Sequence, residues 1–216
     1  MLNTVYRLVA PRRFEVEFND IDLHAGQIVV RPTHLSICHA DQRYYQGVRP
    51  AEVLKEKLPM ALIHEGLGEV LYDPTGTYQC GDTVIMIPNT PCEKDEVIAE
   101  NYLRSSKFRA SGFDGFMQEH VALDIDRVVP VDDSIDKVIA AFTELVSVSV
   151  HAIRRFDSIA HKRRKAVGIW GDGNLGYITA IFFKAMFPNT KLYILGVDQE
   201  KLSGFSFADD TFSVSD

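Results

Sequence analysis

Short apolar runs broken by turn residues dominate the first part of the chain. Residues 16–18, 28–31, 68–72 and 83–87 are rich in β-branched and aromatic side chains, and Asp20, Gly26, Asp73-Pro74 and Gly81-Asp82 punctuate them. That pattern predicts short strands of a mostly β domain. From Asp133 the period changes: Val138, Ile139, Phe142, Leu145, Val146, Val150 and Ile153 recur at helical spacing up to Arg154-Arg155. A helix is expected there, in a largely buried segment, and the seam between two domains falls near Ser149 and Val150. The domains read as 1–150 and 151–216.

After the basic run His161 to Lys165 comes an apolar strand over 166–170, a glycine turn, and a helix-length segment over 175–187 closed by Pro188-Asn189. A second strand over 192–195 and a short helix over 199–207 follow. The order β-α-β-α is the opening half of a parallel, doubly wound sheet, so the fold class is α/β. The aromatic positions Tyr177, Phe182, Phe183 and Phe187 are read as core packing.

Composition narrows the classes. The 216 residues are 46% hydrophobic and 25% charged, which excludes disorder as the main state. With 30 acidic against 23 basic residues the net charge is −7, so no overall field attracts a nucleic-acid backbone, and the basic run reads as a solvated connector. Cys38, Cys80 and Cys92 are too few and scattered for a disulfide framework, which favours a reducing compartment. Arg7, Arg12 and Arg13 interrupt any apolar leader, and no uncharged run approaches the roughly 18 residues of a membrane span. The expectation is a cytoplasmic protein with neither nucleic acid nor membrane as partner.

Gly171-Asp172-Gly173-Asn174-Leu175-Gly176 fits G-x-G-x-x-G between a strand and a helix, the context of a dinucleotide fingerprint. The glycines allow the tight turn, the close approach of a pyrophosphate and the packing of helix on strand. About 20 residues on, where an acid would bind the ribose 2′-hydroxyl of NAD, stands Gly196. Nothing at that place is expected to repel a 2′-phosphate, which favours NADP(H). Asp198 is the alternative acid for NAD, and Lys201 is the only near cation.

Four residues in the β domain and its exit helix have metal-ligand chemistry: Cys38, the pair His64-Glu65, and Glu144. Zinc accepts thiolate, imidazole and carboxylate, and a catalytic site keeps one position open. Cys38, His64 and one glutamate would supply three ligands, with the other glutamate as an alternate ligand or holding a water.

Cys38-His39-Ala40-Asp41, His64 to Val70, Gly81 to Val84, Glu144 to Ala152 and the glycine turn stand in the order seen in zinc-dependent medium-chain dehydrogenases, which the chain resembles over its whole length. Glutamate as the third ligand, followed by Ser-Val-x-x-His-Ala-x-Arg-Arg, is similar to the sorbitol dehydrogenase branch. Finer strings, among them Ala40 to Tyr45, Lys57 to Met60, Glu100 to Tyr102 and Ser111 to Met117, resemble the ribulose-5-phosphate reductases that supply CDP-ribitol for teichoic acid and capsular polymers. The resemblance implies a GroES-like β domain followed by a Rossmann half, and NADPH-dependent reduction of D-ribulose 5-phosphate to D-ribitol 5-phosphate. It also implies one catalytic zinc on Cys38, His64, Glu65 and Glu144. Glu65, Glu144 and Asp41 are the implied catalytic residues, and Gly171, Gly173, Asn174, Leu175, Gly176 and Gly196 the implied cofactor contacts.

Ala40 replaces the serine or threonine relay of many members, so a water held by Glu144 or Glu65 is expected to carry the proton. Only Cys92 stands where others have a four-cysteine lobe, so no structural zinc is expected. Arg43 is the first candidate for the substrate phosphate, ahead of Arg104, Lys107 and Arg109. Implied partners are the phosphorylated pentulose and, at full length, a second copy or the pathway's cytidylyltransferase. In this family the nucleotide fold continues, so the chain reads as an N-terminal part ending where a third strand should begin. The competing readings are an NAD-linked polyol dehydrogenase and a catalytically silent zinc-binding fragment.

Overall fold

The structure, a computed structural model, describes residues 1–214. Ser215 and Asp216, the end of the expected 151–216 domain, lie outside the described residues. Two compact units divide between Glu144 and Leu145.

The first unit opens with β1 (Leu2–Ala10) and β2 (Arg13–Asp20), followed by β3 (Gln27–Ser36), α1 (His39–Gln46), α2 (Ala51–Lys57), β4 (Met60–Ala61) and β5 (Glu65–Tyr72). After these come β6 (Thr83–Met86), β7 (Asn89–Thr90), β8 (Lys107–Phe108), β9 (Val121–Asp124), β10 (Val128–Pro130) and α3 (Lys137–Ala140). A five-stranded sheet has the order β10-β6-β5-β3-β9, and β2-β1-β4 form a second sheet. Ile28, Val30, Val70, Val84, Met86, Phe116, Val121, Leu123 and Val128 close on one another as its core. Alternate residues of β3, β6 and β9 supply much of that core, as a period of two requires.

The second unit carries α4 (Thr143–Ile159) from Leu145 onward, β11 (Ala166–Trp170), α5 (Asn174–Met186), β12 (Lys191–Gly196), α6 (Gln199–Ser203) and β13 (Asp210–Ser213). Its sheet runs β11-β12-β13, parallel throughout, with α5 and α6 as the crossovers such pairing needs. Ile153, Ala180, Phe183, Leu192, Ile194, Leu202 and Phe205 fill the core. Phe182, Phe183 and Phe187 lie within it or against it, as read from the sequence, whereas Tyr177 is 38% exposed and meets Phe205 and Phe207 only in edge-to-face contacts.

Three expectations change. The third strand is already present: β13 pairs with β12 from Tyr193↔Asp210 to Gly196↔Ser213. The expected single helix breaks between Ala140 and Thr143, and Val138 and Ile139 are 61% and 69% exposed instead of buried. The helix expected over 199–207 ends at Ser203, because Phe205 turns into the core. Among the described residues no helix is long and apolar enough to cross a membrane.

Candidate functional site

The pairing of β3 with β5 builds the metal centre. Ser36, the last residue of β3, pairs with Glu65, the first of β5. Cys38, two residues beyond that strand end, therefore comes up beside His64 and Glu65. Cys38 Sγ lies 3.7 Å from His64 Nε2, and one donor atom from each of the three residues falls within 4.8 Å of the others. Ligands on one tetrahedral zinc stand about 3.5 Å apart, so little contraction would be needed.

Two buried atoms in this cluster lack a hydrogen-bond partner: His64 Nδ1 and Glu65 Oε2. Glu65 is 1% exposed. An orphaned carboxylate oxygen in a dry interior is costly, and a cation resolves it. The residues present therefore fit a zinc ion.

Asp41 ties the cluster together. It is the third residue of α1, which Cys38 caps, and its Oδ2 accepts from the Cys38 N–H at 3.0 Å and from Sγ at 3.1 Å. Its Oδ1 accepts from the Ile63 N–H at 2.9 Å. Both Asp41 oxygens thus hold the Cys38 and Ile63 backbone in place around the cluster.

Ile63, next to His64, has φ +70°, a left-handed conformation unusual for a β-branched residue. It is held there from both sides, since its carbonyl accepts from Phe116 N–H at 2.7 Å. Gly115 permits that approach: a Cβ there would meet the Ile63 carbonyl oxygen at 2.3 Å and that of Leu62 at 2.4 Å. Asp114 adds a further brace, accepting from Ala61 N–H and from Arg7.

Burial and the neighbouring Asp41 push the Cys38 thiol up to about 12. Burial raises the Glu65 carboxyl. Glu144 is pushed up to about 7 by burial and by the charge of Glu65. Glu144 stands outside the three-residue cluster, although it was expected as a ligand, yet it is near enough to feel Glu65.

The expected phosphate ligands separate. Arg43 lies on α1 with a partly exposed side chain, and Arg104 and Lys107 are exposed. Arg109 is corrected: its guanidinium donates to the backbone oxygens of Ala122 and Asp114, so it fastens the β unit. Cys92 is exposed and its Sγ donates weakly to Thr90 O.

In the second unit the glycine turn joins β11 to α5. Gly171 has φ +142°, and a Cβ on Gly176 would lie 2.1 Å from the Gly171 carbonyl oxygen, so both must lack a side chain. Gly173 caps α5 with no atom within 4 Å of its Cβ position, leaving backbone open to a phosphate, with Asn174 and Leu175 beginning the helix. These features fit a pyrophosphate.

At the strand end a Cβ on Gly196 would lie 2.5 Å from Asp172 Oδ2, whose carboxylate accepts from the N–H groups of Val197 and Asp198. Asp198 caps α6, accepting from the N–H groups of Glu200 and Lys201. Sequence reasoning missed Ile63, Gly115 and Asp172. Only Asp172 left a trace, a charged residue in a variable position of the fingerprint.

A β unit with a Cys-His-Glu cluster, followed by a parallel sheet with a fingerprint turn, defines a medium-chain dehydrogenase. Residues 24–133 match the alcohol dehydrogenase GroES-like domain, and the chain belongs to that family. It is 56% identical to ribulose-5-phosphate reductase 1 of Staphylococcus aureus, across 100% of this chain and 63% of that protein. It is 55% identical to the ribulose-5-phosphate reductase of Bacillus spizizenii, with the same shares covered. The crystal structure of S. aureus TarJ in complex with NADPH superposes with a TM-score of 0.81 at 48% identity, covering 99% of this chain and 60% of that one. The chain thus spans less than two thirds of the length of these relatives.

Proposed function

We propose that the chain is the zinc- and nucleotide-binding part of an NADPH-dependent reductase that converts D-ribulose 5-phosphate to D-ribitol 5-phosphate. The observation that carries the reading is the Cys38, His64 and Glu65 cluster with the orphaned buried Glu65 oxygen, in a chain more than half identical to reductases of that name. When bound, zinc supplies polarisation of the C2 carbonyl, and NADPH supplies the hydride.

The chain's own residues arrange the rest. Asp41 aims Cys38, while Ile63, pinned by Asp41 and Phe116, presents His64 and Glu65. Glu144, beside Glu65, holds the proton for the product oxygen, since Ala40 has no hydroxyl to relay it. Arg43 is the candidate for the substrate phosphate, which a guanidinium binds in a fork. The glycine turn takes the pyrophosphate through backbone N–H groups at the start of α5. The product would feed CDP-ribitol formation for wall polymers, with a second copy or a cytidylyltransferase as partner.

The test is reductant oxidation by the zinc-loaded protein with ribulose 5-phosphate or ribulose, each with NADPH or NADH. Turnover is expected with the phosphorylated ketose and NADPH, and Cys38→Ser should remove both bound zinc and turnover. Arg43→Ala should raise KM for ribulose 5-phosphate at least about tenfold and leave KM for NADPH unchanged. Oxidation of unphosphorylated sugar alcohols with NAD would replace the reading with a polyol dehydrogenase. Zinc at full occupancy with no oxidation of any pair would leave a silent metal-binding chain.

A further inference from the structure

Beside the metal cluster a hydroxyl is buried opposite the glutamate. Ser36, the last residue of β3, is 7% exposed and pairs with Glu65, the first residue of β5. Residues directly opposite in an antiparallel pair have Cβ atoms about 4.5–5.5 Å apart, close enough for a serine to reach a carboxylate. The Ser36 hydroxyl donates such a bond to the Glu65 carboxylate. Glu65 Oε2 has no hydrogen-bond partner, so the bond falls on Oε1. One oxygen of the glutamate is thus held by β3, and the other is left for a cation.

Two features of the backbone bring the pair together. The register of β3 against β5 slips by one residue between Pro32 and His34, with Thr33 as the extra residue. Without that slip Leu35 would stand opposite Glu65, and Ser36 would be out of line with it. Gly66 then allows the strands to close: a Cβ there would lie 2.7 Å from the His34 carbonyl oxygen and 2.7 Å from Leu35 Cδ2. The irregularity in β3 and the bare position in β5 both act next to the ligand pair.

We propose that Ser36 is a positioning residue of the metal site: its hydroxyl holds one oxygen of Glu65 so that the other is presented singly beside Cys38 and His64. The proposal rests on the zinc reading above and assigns the group that orients one of its ligands. A carboxylate free to turn offers either oxygen or both, and ordering it then counts against metal binding. One braced by a neighbouring hydroxyl is ordered already when the chain folds. Ser36 and Cys38 are two residues apart, so the end of β3 supplies one ligand and steadies another.

The test measures the zinc affinity of the whole chain by competition with a chromophoric chelator. Ser36→Ala should weaken zinc binding about tenfold. Ser36→Thr, which keeps the hydroxyl, should restore most of that loss. In a Glu65→Ala background, where Ser36 has no carboxylate to hold, Ser36→Ala should change the affinity by less than about twofold. Thermal unfolding of the metal-stripped variants separates a change of site from a loss of fold. The proposal falls if Ser36→Ala binds zinc as tightly as the unmodified protein, or if Ser36→Thr is as weak as Ser36→Ala. It falls too if the loss is undiminished without Glu65, since Ser36 would then only fasten β3 to β5. If the unmodified protein binds no zinc, the zinc reading fails and this proposal fails with it.

Discussion

Glu144 gives the metal-free protein a distinctive pH dependence. Its carboxyl is pushed up to about 7 in the fold, against about 4.5 when unfolded, so the native state holds the proton more tightly. Native stability from this group is therefore complete below about pH 4.5 and falls as pH rises towards 7. Glu144→Gln removes the titration, so without zinc its melting temperature should equal that of the unmodified protein at pH 4 and exceed it at pH 8. Scanning calorimetry at the two pH values checks this, and an equal difference at both would refute it. Asp41 acts through position instead. Asp41→Ala should weaken zinc binding about 10- to 100-fold in a chelator competition, because Cys38 and the Ile63 turn lose their common anchor. At this scale the sequence was informative about donors and silent about what aims them. Cys38, His64 and Glu65 declare their chemistry by residue type. Nothing in the letters at 63 declares a left-handed isoleucine, which exists because Asp41 and Phe116 hold it from outside.

Among the elements, the ligand-bearing segment before β5 depends on the loop that crosses it. Gly115→Ala would drive a methyl into the Ile63 and Leu62 carbonyls and should cost about 3 kcal/mol of stability in denaturant unfolding. Zinc affinity should fall along with it. Parts of β3 and β5, residues 28–31 and 68–72, were legible from their β-branched and aromatic content, while the strands bury residues 28–30 and 65–68 in unbroken runs and so show no strict period of two. The two-residue strands β4, β7 and β8 have no period to read and exist only through their partners. Helical spacing around Val138 and Ile139 was read as burial, yet periodicity reports which side is apolar and not whether anything covers it.

For the whole molecule, the division at Glu144 and Leu145 places the metal cluster in one unit and the fingerprint turn in the other. Hydrogen exchange should show this directly. Zinc should slow the amides of Cys38 and Ile63, which both donate to Asp41, and a nucleotide should slow Gly173 and its neighbours. Unchanged exchange at Ile63 on adding zinc would argue against the cluster as the metal site. The order of a β unit followed by a parallel sheet was readable because strand and helix periods differ. The extent of that sheet was not, since β13 is a short segment fixed by its pairing to β12.

The same sheet carries a liability for anyone handling residues 1–216 by themselves. In the order β11-β12-β13 the outer side of β11 has no strand beside it among the described residues, and Trp170 at its end is 74% exposed. Such a border can template fibrillar growth from another molecule in a concentrated stock. The charge of −7 opposes that meeting through mutual repulsion. Mild acidification, which drains the charge, should shorten the shelf life of the protein well before it unfolds.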